Sequence, residues 1–298
     1  MQTDAARGVL VVKVGGAEGV DHRYVCEEVA ALIAQGEKVV LVHGGSAEAD
    51  ALGRDLGHPP RRLVSPSGYT WRYTDRRTLE IFAMATRGKI NTLLVERLQS
   101  AGVNAIGLSG LDGRLLQARR KDSVQSIEAG KRRVVHDDYT GRVEHVETDL
   151  LRLLLDHGYT PVLAPMALAS GGTGQMADGT AVNVDADRAA AAIAGELSAS
   201  TLILLTAVPG LLRSFPEESS LIRTLAPEDL EEAMSWAQAG MKKKILAARE
   251  AIQAGVACVI IADGRIPRPI AAARAGQGTR IAARDRQLAR SPLSRGTE

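Results

Sequence analysis

The feature that most constrains the fold of this 298-residue chain is a repeated alternation of short apolar runs with amphipathic helical stretches. The runs are rich in Val, Ile and Leu and end at glycine or polar residues, as buried strands of parallel sheets do. Predicted strands lie at 8–14, 37–43, 103–108, 159–165, 200–206 and 256–263. Predicted helices lie at roughly 21–35, 46–56, 75–100, 148–157, 183–197 and 240–254. The alternation implies an α/β fold whose mainly parallel sheet is covered on both faces.

Three segments interrupt this rhythm. Residues 112–147 alternate polar and apolar positions around internal turns, which predicts hairpins laid over the sheet. Residues 169–180, "ASGGTGQMADGT", form a glycine-rich crossing and a candidate domain boundary. The tail from 284 to 298 is polar, and we expect it to be flexible.

Composition excludes several classes of function. The net charge of +2 gives no case for nucleic acid or an anionic membrane as partner. The N-terminal stretch resembles neither a signal peptide nor a membrane span, so we expect a cytoplasmic protein. Cys26 and Cys258 lie far apart in unrelated patterns and are interpreted as small buried residues in a reducing compartment.

Two glycine-bearing turns follow the first two predicted strands. "KVGG" places Lys13 before Gly15 and Gly16, and "HGGS" contains Gly44 and Gly45. Ligands of parallel sheets bind at the carboxyl ends of strands, where glycine lets backbone N–H groups approach a phosphate closely. Ordinary tight turns with a solvated lysine are the alternative at each site. Two such turns together favour an anion site.

Polar or charged residues open three of the predicted helices. Ser46 is predicted to be the N-cap of the helix at 46–56. Asn183, Asp185 and Asp187 precede an alanine-rich helix, where acidic residues are usually caps. Three lysines at 242–244 open another helix, against its dipole, so at least one is expected to face an anion. Solvated charged faces remain the alternative for the other lysines.

One stretch is rich in aromatic residues although aromatics make up only 3% of the chain. "GYTWRYTDRRTLE", residues 68–80, places Arg72 between Trp71 and Tyr73 and precedes a long helical pattern with Asp75 as the expected cap. The chain contains no P-loop or protein-kinase loop, and no Cys/His cluster with zinc spacing. His43, before the double glycine, is interpreted as structural.

In their order along the chain, these motifs resemble the amino-acid kinase family, and within it the N-acetylglutamate kinase branch. The ordered set is Lys-x-Gly-Gly, His-Gly-Gly, Arg-x-Thr-Asp, Asn-x-x-x-Asp, "LLTAVPGLL" at 204–212 and Gly-Met-x-x-Lys. The resemblance covers about residues 8–283. "RYTD" and "VVHDDYTGRVEHV" (134–146) are more similar to the lysine-biosynthesis members, the [LysW]-aminoadipate or acetylaminoadipate kinases.

The resemblance implies a three-layer αβα sandwich with an open, mainly parallel sheet. A lobe at 1–181, with the hairpin insertion at about 112–147, would bind the acid and dimerise, and a lobe at 182–283 would bind ATP with Mg²⁺. The γ-phosphoryl group would move from ATP to a side-chain carboxylate. No protein metal ligand is implied, because the nucleotide phosphates would mainly hold Mg²⁺.

The resemblance also implies roles for individual residues. Lys13 and Lys244 would contact the transferring phosphoryl group, and Asp187 would hold both lysines. Other expected contacts are Gly15 and Gly16 to phosphate, and Gly44, Gly45, Arg72 and Asn183 to the acceptor. Two positions depart from the family pattern: Ser46 replaces a frequent third glycine, and Ala207 replaces an aspartate near the nucleotide.

The choice of acceptor depends on charge. Residues 114–133 carry seven basic and two acidic side chains, a net charge of +5 in a chain of +2. A basic rim beside the acceptor site would suit a small acidic carrier protein, whereas a solvated hairpin face is the alternative. The first hypothesis is therefore phosphorylation of carrier-linked 2-aminoadipate, with carrier-linked glutamate as a further acceptor. N-acetylglutamate kinase of arginine biosynthesis is the second and a non-catalytic amino-acid or nucleotide sensor the third.

The resemblance bears on assembly as well. Arginine-sensitive relatives carry an additional N-terminal helix that builds hexamers, and only about seven residues precede the first predicted strand here. We therefore expect a homodimer without arginine feedback.

Overall fold

The predicted alternation is present in the three-dimensional structure, a computed structural model that describes residues 8–16, 19–66, 68, 70–128, 130–170 and 179–282. All six predicted strands and all six helical stretches occur, with ends shifted by at most three residues. The elements up to residue 109 are β1 (Leu10–Val14), α1 (His22–Ala34), β2 (Val39–His43), α2 (Ser46–Asp55), β3 (Arg62–Val64), β4 (Thr70–Arg72), α3 (Arg76–Ala83), a π-helix (Met84–Asn91), α4 (Thr92–Ser100) and β5 (Ala105–Ser109).

The remaining elements alternate in the same way after a β-rich insertion. The insertion and its flanks contain β6 (Leu116–Arg120), β7 (Val124–Glu128), β8 (Lys131–Val135), β9 (Thr140–Val146), α5 (Asp149–Asp156), β10 (Thr160–Ala164) and β11 (Met166–Ala169). The last part contains β12 (Ala181–Val184), α6 (Ala186–Glu196), β13 (Thr201–Thr206), β14 (Thr224–Leu225), α7 (Leu230–Trp236), α8 (Ala239–Gln253), β15 (Cys258–Asp263), α9 (Pro269–Arg274) and β16 (Thr279–Ala282).

One eight-stranded sheet spans most of the protein, in the order β14-β16-β15-β13-β1-β2-β10-β5. The six predicted strands all belong to it and pair in parallel. β16 runs antiparallel to β15, so the sheet is mainly but not wholly parallel.

Neighbouring residues of the central strands point into separate hydrophobic cores. Val11 packs in a core with Ala190 of α6, whereas Val12 packs in a second core with Val29 of α1 and Leu98 of α4. All five side chains are fully buried. Burial on both faces explains why the strands read as continuous apolar runs rather than alternating patterns. The predicted three-layer αβα sandwich is therefore confirmed.

The insertion differs in part from the prediction of hairpins laid over the sheet. β7 and β8 do form a two-stranded hairpin. β6 and β9 instead pair with each other and, together with β11 and β12, close a small four-stranded barrel. These strands recruit partners from beyond the insertion, which local turn patterns could not reveal. Residues 171–178 of the glycine-rich crossing and the whole predicted tail at 284–298 lie outside the described residues.

Candidate active site

The ends of β1 and β2 form the floor of the site. The strands are parallel neighbours, so the turns containing Gly15 and Gly16 and those containing Gly44 and Gly45 lie side by side. Gly44 N–H donates to Val14 C=O at 2.9 Å. A Cβ atom on Gly16 would lie 2.1 Å from the backbone nitrogen of Gly45, and one on Gly44 would lie 2.5 Å from the nitrogen of Gly16. Only glycine permits this approach of two backbones.

Gly16→Ala is therefore expected to force the two turns apart and to lower the free energy of unfolding by about 1–3 kcal/mol. Thermal or urea unfolding measures the change. Gly88→Ala is the matched control, because a Cβ atom there meets no atom within 4 Å. Equal stability of the Gly16 variant and the parent would contradict this close packing.

The helix α2 begins at Ser46, so its N-cap residue lies one position earlier than predicted. Gly45, not Ser46, is the N-cap residue, and no side chain caps the helix. The prediction of Ser46 as N-cap is wrong, because Ser46 is already the first helical residue. Its backbone carbonyl instead accepts a hydrogen bond from Arg72 at 2.9 Å.

Two lysines from opposite ends of the sequence meet on one carboxylate. Lys13 Nζ lies 2.7 Å from Oδ1 of Asp187, an ion pair rather than a well-directed hydrogen bond. Lys244 Nζ donates to Oδ2 of Asp187 at 2.7 Å. Lys13 and Asp187 are each only 5% exposed. The three predicted catalytic residues thus form one cluster, with Lys13 and Asp187 buried and Lys244 partly buried, which we call the Lys–Asp–Lys triad.

Local folding explains how Asp187 reaches the lysines. Asp185 caps α6 by accepting the backbone N–H groups of Asp187 and Arg188 at 3.0 and 3.2 Å. Because Asp185 accepts the free N–H groups at the start of the helix, the carboxylate of Asp187 is available for the lysines. Lys243, the neighbour of Lys244 on α8, lies 3.8 Å from Asp185.

The triad keeps its carboxylate ionised. Burial would raise the pKa of Asp187, but the charges of Lys13 and Lys244 outweigh it and hold that pKa well below its usual range. Burial lowers the pKa of Lys13, the charge of Lys244 lowers it further, and Asp187 opposes both effects. With both lysines protonated, the triad carries one excess positive charge in a water-poor environment, which favours an incoming anion.

A cavity of about 880 Å³ is lined by the second glycine turn and by Asp185, Ala186 and Lys243, the chain neighbours of two triad residues. Among the described residues, the triad itself and the turn at Gly15 and Gly16 do not line it. Gly44, Gly45, Arg72 and Asn183, the four residues expected to contact the acceptor, all line it. Trp71 and Phe82 supply apolar walls, while Arg62, Arg119, Lys121 and Arg142 add positive charge. The structure therefore brings together residues from the end of β2, from β4 and from β12, which lie up to 139 positions apart in the sequence.

Arg72 already has partners within the protein. It lies 2.8 Å from Oδ1 of Asp50 in an ion pair, and its guanidinium stands over the ring of Phe82 at 5.8 Å. Burial lowers the pKa of Arg72, although the charge of Asp50 opposes the shift. The sequence reasoning did not identify Asp50, which lies one turn after Ser46 on α2. That spacing is the only sequence signal for its contact with Arg72.

The aromatic stretch is attached to the end of the insertion. Trp71 Nε1 donates to Asp138 Oδ2 at 2.7 Å, and the Tyr73 hydroxyl donates to Asp137 at 2.5 Å. Asp75 caps α3 by accepting the N–H of Thr78 at 2.7 Å, so its predicted cap role is confirmed. "RYTD" and "VVHDDYTGRVEHV", the two stretches that carry the resemblance to lysine-biosynthesis kinases, therefore touch each other. Tyr69 lies outside the described residues.

The basic insertion segment divides into exposed and buried groups. Lys131, Arg132 and Arg133 are exposed on β8. Arg120, counted with the rim in the sequence, is only 8% exposed and stacks over Tyr139 at 4.4 Å. It therefore stabilises the protein interior and does not belong to the rim.

His43 and the two cysteines are buried in the protein interior. His43 is fully buried: its Nδ1–H donates to Gly44 C=O, and its Nε2 accepts a hydrogen bond from the side-chain amide of Asn91. Burial lowers the pKa of His43 to about 4. Cys26 and Cys258 are buried free thiols, as predicted.

Within the described ranges, no group of three or more His, Cys, Asp or Glu residues has a geometry suited to a metal ion. The helices of those ranges include none with the length and apolarity needed to cross a membrane.

Comparisons with known proteins give close relatives. The chain is 52% identical over 271 residues to a "[LysW]-aminoadipate kinase" of Deinococcus radiodurans, covering 91% of this chain and 90% of that protein. It is 48% identical over 273 residues to a protein of the same name from Thermus thermophilus, covering 91% and 99%. An "Acetylglutamate kinase" of Methanopyrus kandleri is 40% identical over 255 residues, covering 85% and 94%.

A solved structure shares the architecture. N-acetylglutamate synthase from Neisseria gonorrhoeae, complexed with coenzyme A and N-acetyl-glutamate, superposes with a TM-score of 0.73 and 25% identity. The match covers 93% of this chain, which spans 60% of the length of that protein. The family model described as "Amino acid kinase family" matches residues 8–263. With this match and relatives about half identical over nine-tenths of its length, the chain belongs to the amino acid kinase family.

Proposed function

We propose that this enzyme transfers the γ-phosphoryl group of ATP to the side-chain carboxylate of 2-aminoadipate linked to a small acidic amino-group carrier protein, in lysine biosynthesis. Carrier-linked glutamate is a further acceptor in this proposal. The observation that carries it is the Lys–Asp–Lys triad beside a cavity lined by Arg72 and Asn183. The names of the relatives from Deinococcus and Thermus support the choice of acceptor.

The chemistry needs positive charge more than a base. A carboxylate is ionised at neutral pH, so one of its oxygens can attack the γ-phosphorus directly while the bond to the β–γ bridging oxygen breaks. ADP leaves with that electron pair, and the product is an acyl phosphate. The attack brings two anions together, and fixed cations with backbone N–H donors offset their repulsion.

We assign roles to the site residues from the family resemblance, and their positions support the assignment. Lys13 and Lys244 stabilise the transferring phosphoryl group from two sides, and Asp187 keeps the lysines in place. Gly15 and Gly16 donate N–H groups to the phosphate, and Gly44 and Gly45 do so beside the acceptor. Arg72 binds the α-carboxylate of the acceptor in a bidentate manner while sharing its charge with Asp50. Asn183 orients the acceptor's amide or carboxylate end.

The residues present suit Mg²⁺ that is held by the nucleotide. Both oxygens of Asp187 face lysines, and the described ranges hold no cluster of carboxylates for a divalent ion. We infer that ATP phosphates bind Mg²⁺, which supplies charge neutralisation on the nucleotide. Ala207, directly after β13, offers no carboxylate in the loop expected near the nucleotide.

The lobes and the assembly form part of the same proposal. The lobe at 1–181 binds the acceptor together with Asn183 from the start of the second lobe, and the lobe at 182–283 binds ATP. A homodimer through the first lobe is supported by β5, an edge strand of the main sheet, and by the exposed apolar side chains of Met84 and Leu93. Light scattering of the purified protein tests this, and a monomer at micromolar concentration would contradict it.

The exposed basic residues are proposed to recognise the carrier. Replacing Lys131, Arg132 and Arg133 together by serine is expected to lower kcat/KM for carrier-linked aminoadipate by about tenfold at low salt. The variant should also lose much of the salt dependence of that rate, because it has lost steering charges. Turnover of free N-acetyl-aminoadipate should change by less than about twofold. An equal loss with both acceptors would contradict carrier recognition by β8.

ADP release tests the acceptor directly. Purified protein is given ATP, Mg²⁺ and, in separate reactions, carrier-linked aminoadipate, N-acetyl-aminoadipate or N-acetylglutamate. We expect the highest kcat/KM with the carrier-linked acceptor. A wide preference for free N-acetylglutamate would instead establish the arginine-biosynthesis alternative. Nucleotide binding without turnover of any acceptor would favour a sensor.

A further inference from the structure

The hairpin β7–β8 forms its own two-stranded sheet, so its orientation beside the cavity depends on other contacts. On one side β7 packs against β3, and there Arg61 and Glu128 form an ion pair at 2.7 Å with side chains 55% and 34% exposed. Ion pairs this exposed contribute little to positioning. A second contact lies at 136–140, directly after β8, where the chain packs against the strand that carries Arg72.

Asp138 is the centre of this second contact. It is only 3% exposed. Oδ2 accepts hydrogen bonds from the Trp71 indole at 2.7 Å and the Thr140 hydroxyl at 2.9 Å, and Oδ1 accepts the backbone N–H of Thr74 at 3.2 Å. A buried carboxylate is costly unless donors satisfy it. Three donors on one carboxylate therefore fix the segments that supply them.

Backbone bonds extend the contact to a third strand. Tyr139 N–H donates to Thr74 C=O at 2.6 Å, and Asn183 N–H donates to Tyr139 C=O at 2.9 Å. The side-chain amide of Asn183 also donates to the Thr74 hydroxyl at 3.4 Å. Segment 138–140 thus bridges the strand end bearing Arg72 and the strand bearing Asn183, which line the cavity from two sides.

From this arrangement, we propose that Asp138 is a positioning residue that holds the Arg72 strand, the Asn183 strand and the basic hairpin in one register around the acceptor. Among the described residues, Trp71 and Thr140 line the cavity, whereas Asp138 does not. Asp138 therefore acts through its hydrogen-bond donors rather than by touching the acceptor. The inference rests on the proposed function only for the identity of that acceptor.

Asp138→Asn tests the inference, because an amide nitrogen cannot accept a hydrogen bond and would face a donor. We expect KM for the acceptor to rise about tenfold, with KM for ATP within about twofold of the parent value. Asp122→Asn, which removes the same charge from an exposed position in the insertion, is the matched control and should leave both KM values unchanged. A fall in kcat alone, or equal rises in both KM values, would overturn the proposal.

Trp71→Phe provides a second test if Asp138→Asn yields no folded protein. The substitution removes the indole donor and keeps an aromatic ring. Hydrogen exchange then measures the contact without turnover: amides of residues 124–135 and 140–142 should exchange faster than in the parent. Unchanged exchange there would overturn the proposal.

The same experiments separate this inference from the proposed function. Wild-type preference among the three acceptors decides the acceptor's identity. The ratio of acceptor KM to ATP KM in Asp138→Asn is then measured with the acceptor that wild type prefers. Hydrogen exchange decides the inference even for a protein that turns over no acceptor.

Discussion

Lys244→Ala is expected to lower kcat by about 100- to 1,000-fold while changing ATP affinity by less than about tenfold. The ammonium group lies 2.7 Å from Asp187, opposite Lys13, so it is positioned for charge that develops during transfer. Ground-state binding of ATP spreads over many contacts and should depend less on one lysine. Steady-state kinetics and nucleotide binding by calorimetry measure the two quantities separately.

Lys242→Ala is the matched control for this variant. Lys242 lies two residues earlier on the same helix, carries the same charge and has no assigned role. We expect its kcat to stay within about twofold of the parent, because a partly exposed charge contributes little. If Lys244→Ala retained a nearly normal kcat, the assignment of Lys244 to the transferring phosphoryl group would be wrong.

Asp187→Asn is expected to lower the free energy of unfolding by about 3–5 kcal/mol, because it leaves Lys13 and Lys244 close together without their counterion. Urea unfolding measures the loss. Repulsion should depress the lysine pKa values in the folded variant, so its stability should rise with pH up to the unfolded lysine pKa of about 10.4. Activity should fall in parallel, since neither lysine keeps its place.

The loss of stability at acid pH gives a second test of Asp187. Its folded pKa is depressed, so the parent gains stability above the unfolded pKa of about 3.9 and loses it as the pH falls. Asp187→Asn should lack this part of the acid loss. Glu80→Gln, which breaks only exposed ion pairs, is the control and should cost less than about 1 kcal/mol. A comparable loss in both variants would contradict the buried triad.

The main sheet was predictable because its strands are buried on both faces. Burial on both faces makes each central strand a continuous apolar run with glycine or polar residues at its ends. That pattern can be recognised in the sequence without the structure. Strands of the small barrel gave a weaker signal. β6 and β9 pair with β11 and β12, and such nonlocal pairing depends on chain beyond any local pattern. The long helix at 75–100 was predicted without its π-helical middle, since nothing in the sequence of 84–91 distinguishes that segment.

The site was predictable where chemistry is tied to a strand end. Glycine pairs after β1 and β2 indicate an anion site, and family resemblance links Lys13, Asp187 and Lys244 although they are 231 positions apart at the extremes. Asp50 and Asp138 were missed as partners of Arg72 and Trp71. Acidic residues are common on helix faces and in loops, so neither residue stands out in the sequence. Only tertiary packing brings Asp50 to Arg72 and Asp138 to Trp71. The prediction that Arg120 belongs to the basic rim was wrong for the same reason.

The most direct test of the central claim is to trap the product. An acyl phosphate reacts with hydroxylamine to give a stable hydroxamate, and mass spectrometry of the intact carrier can find it. With ATP, Mg²⁺ and carrier-linked aminoadipate, we expect a hydroxamate on the carrier-bound side chain, in an amount equal to the ADP released. ADP release without that hydroxamate, or a hydroxamate formed only on free N-acetylglutamate, would contradict the account.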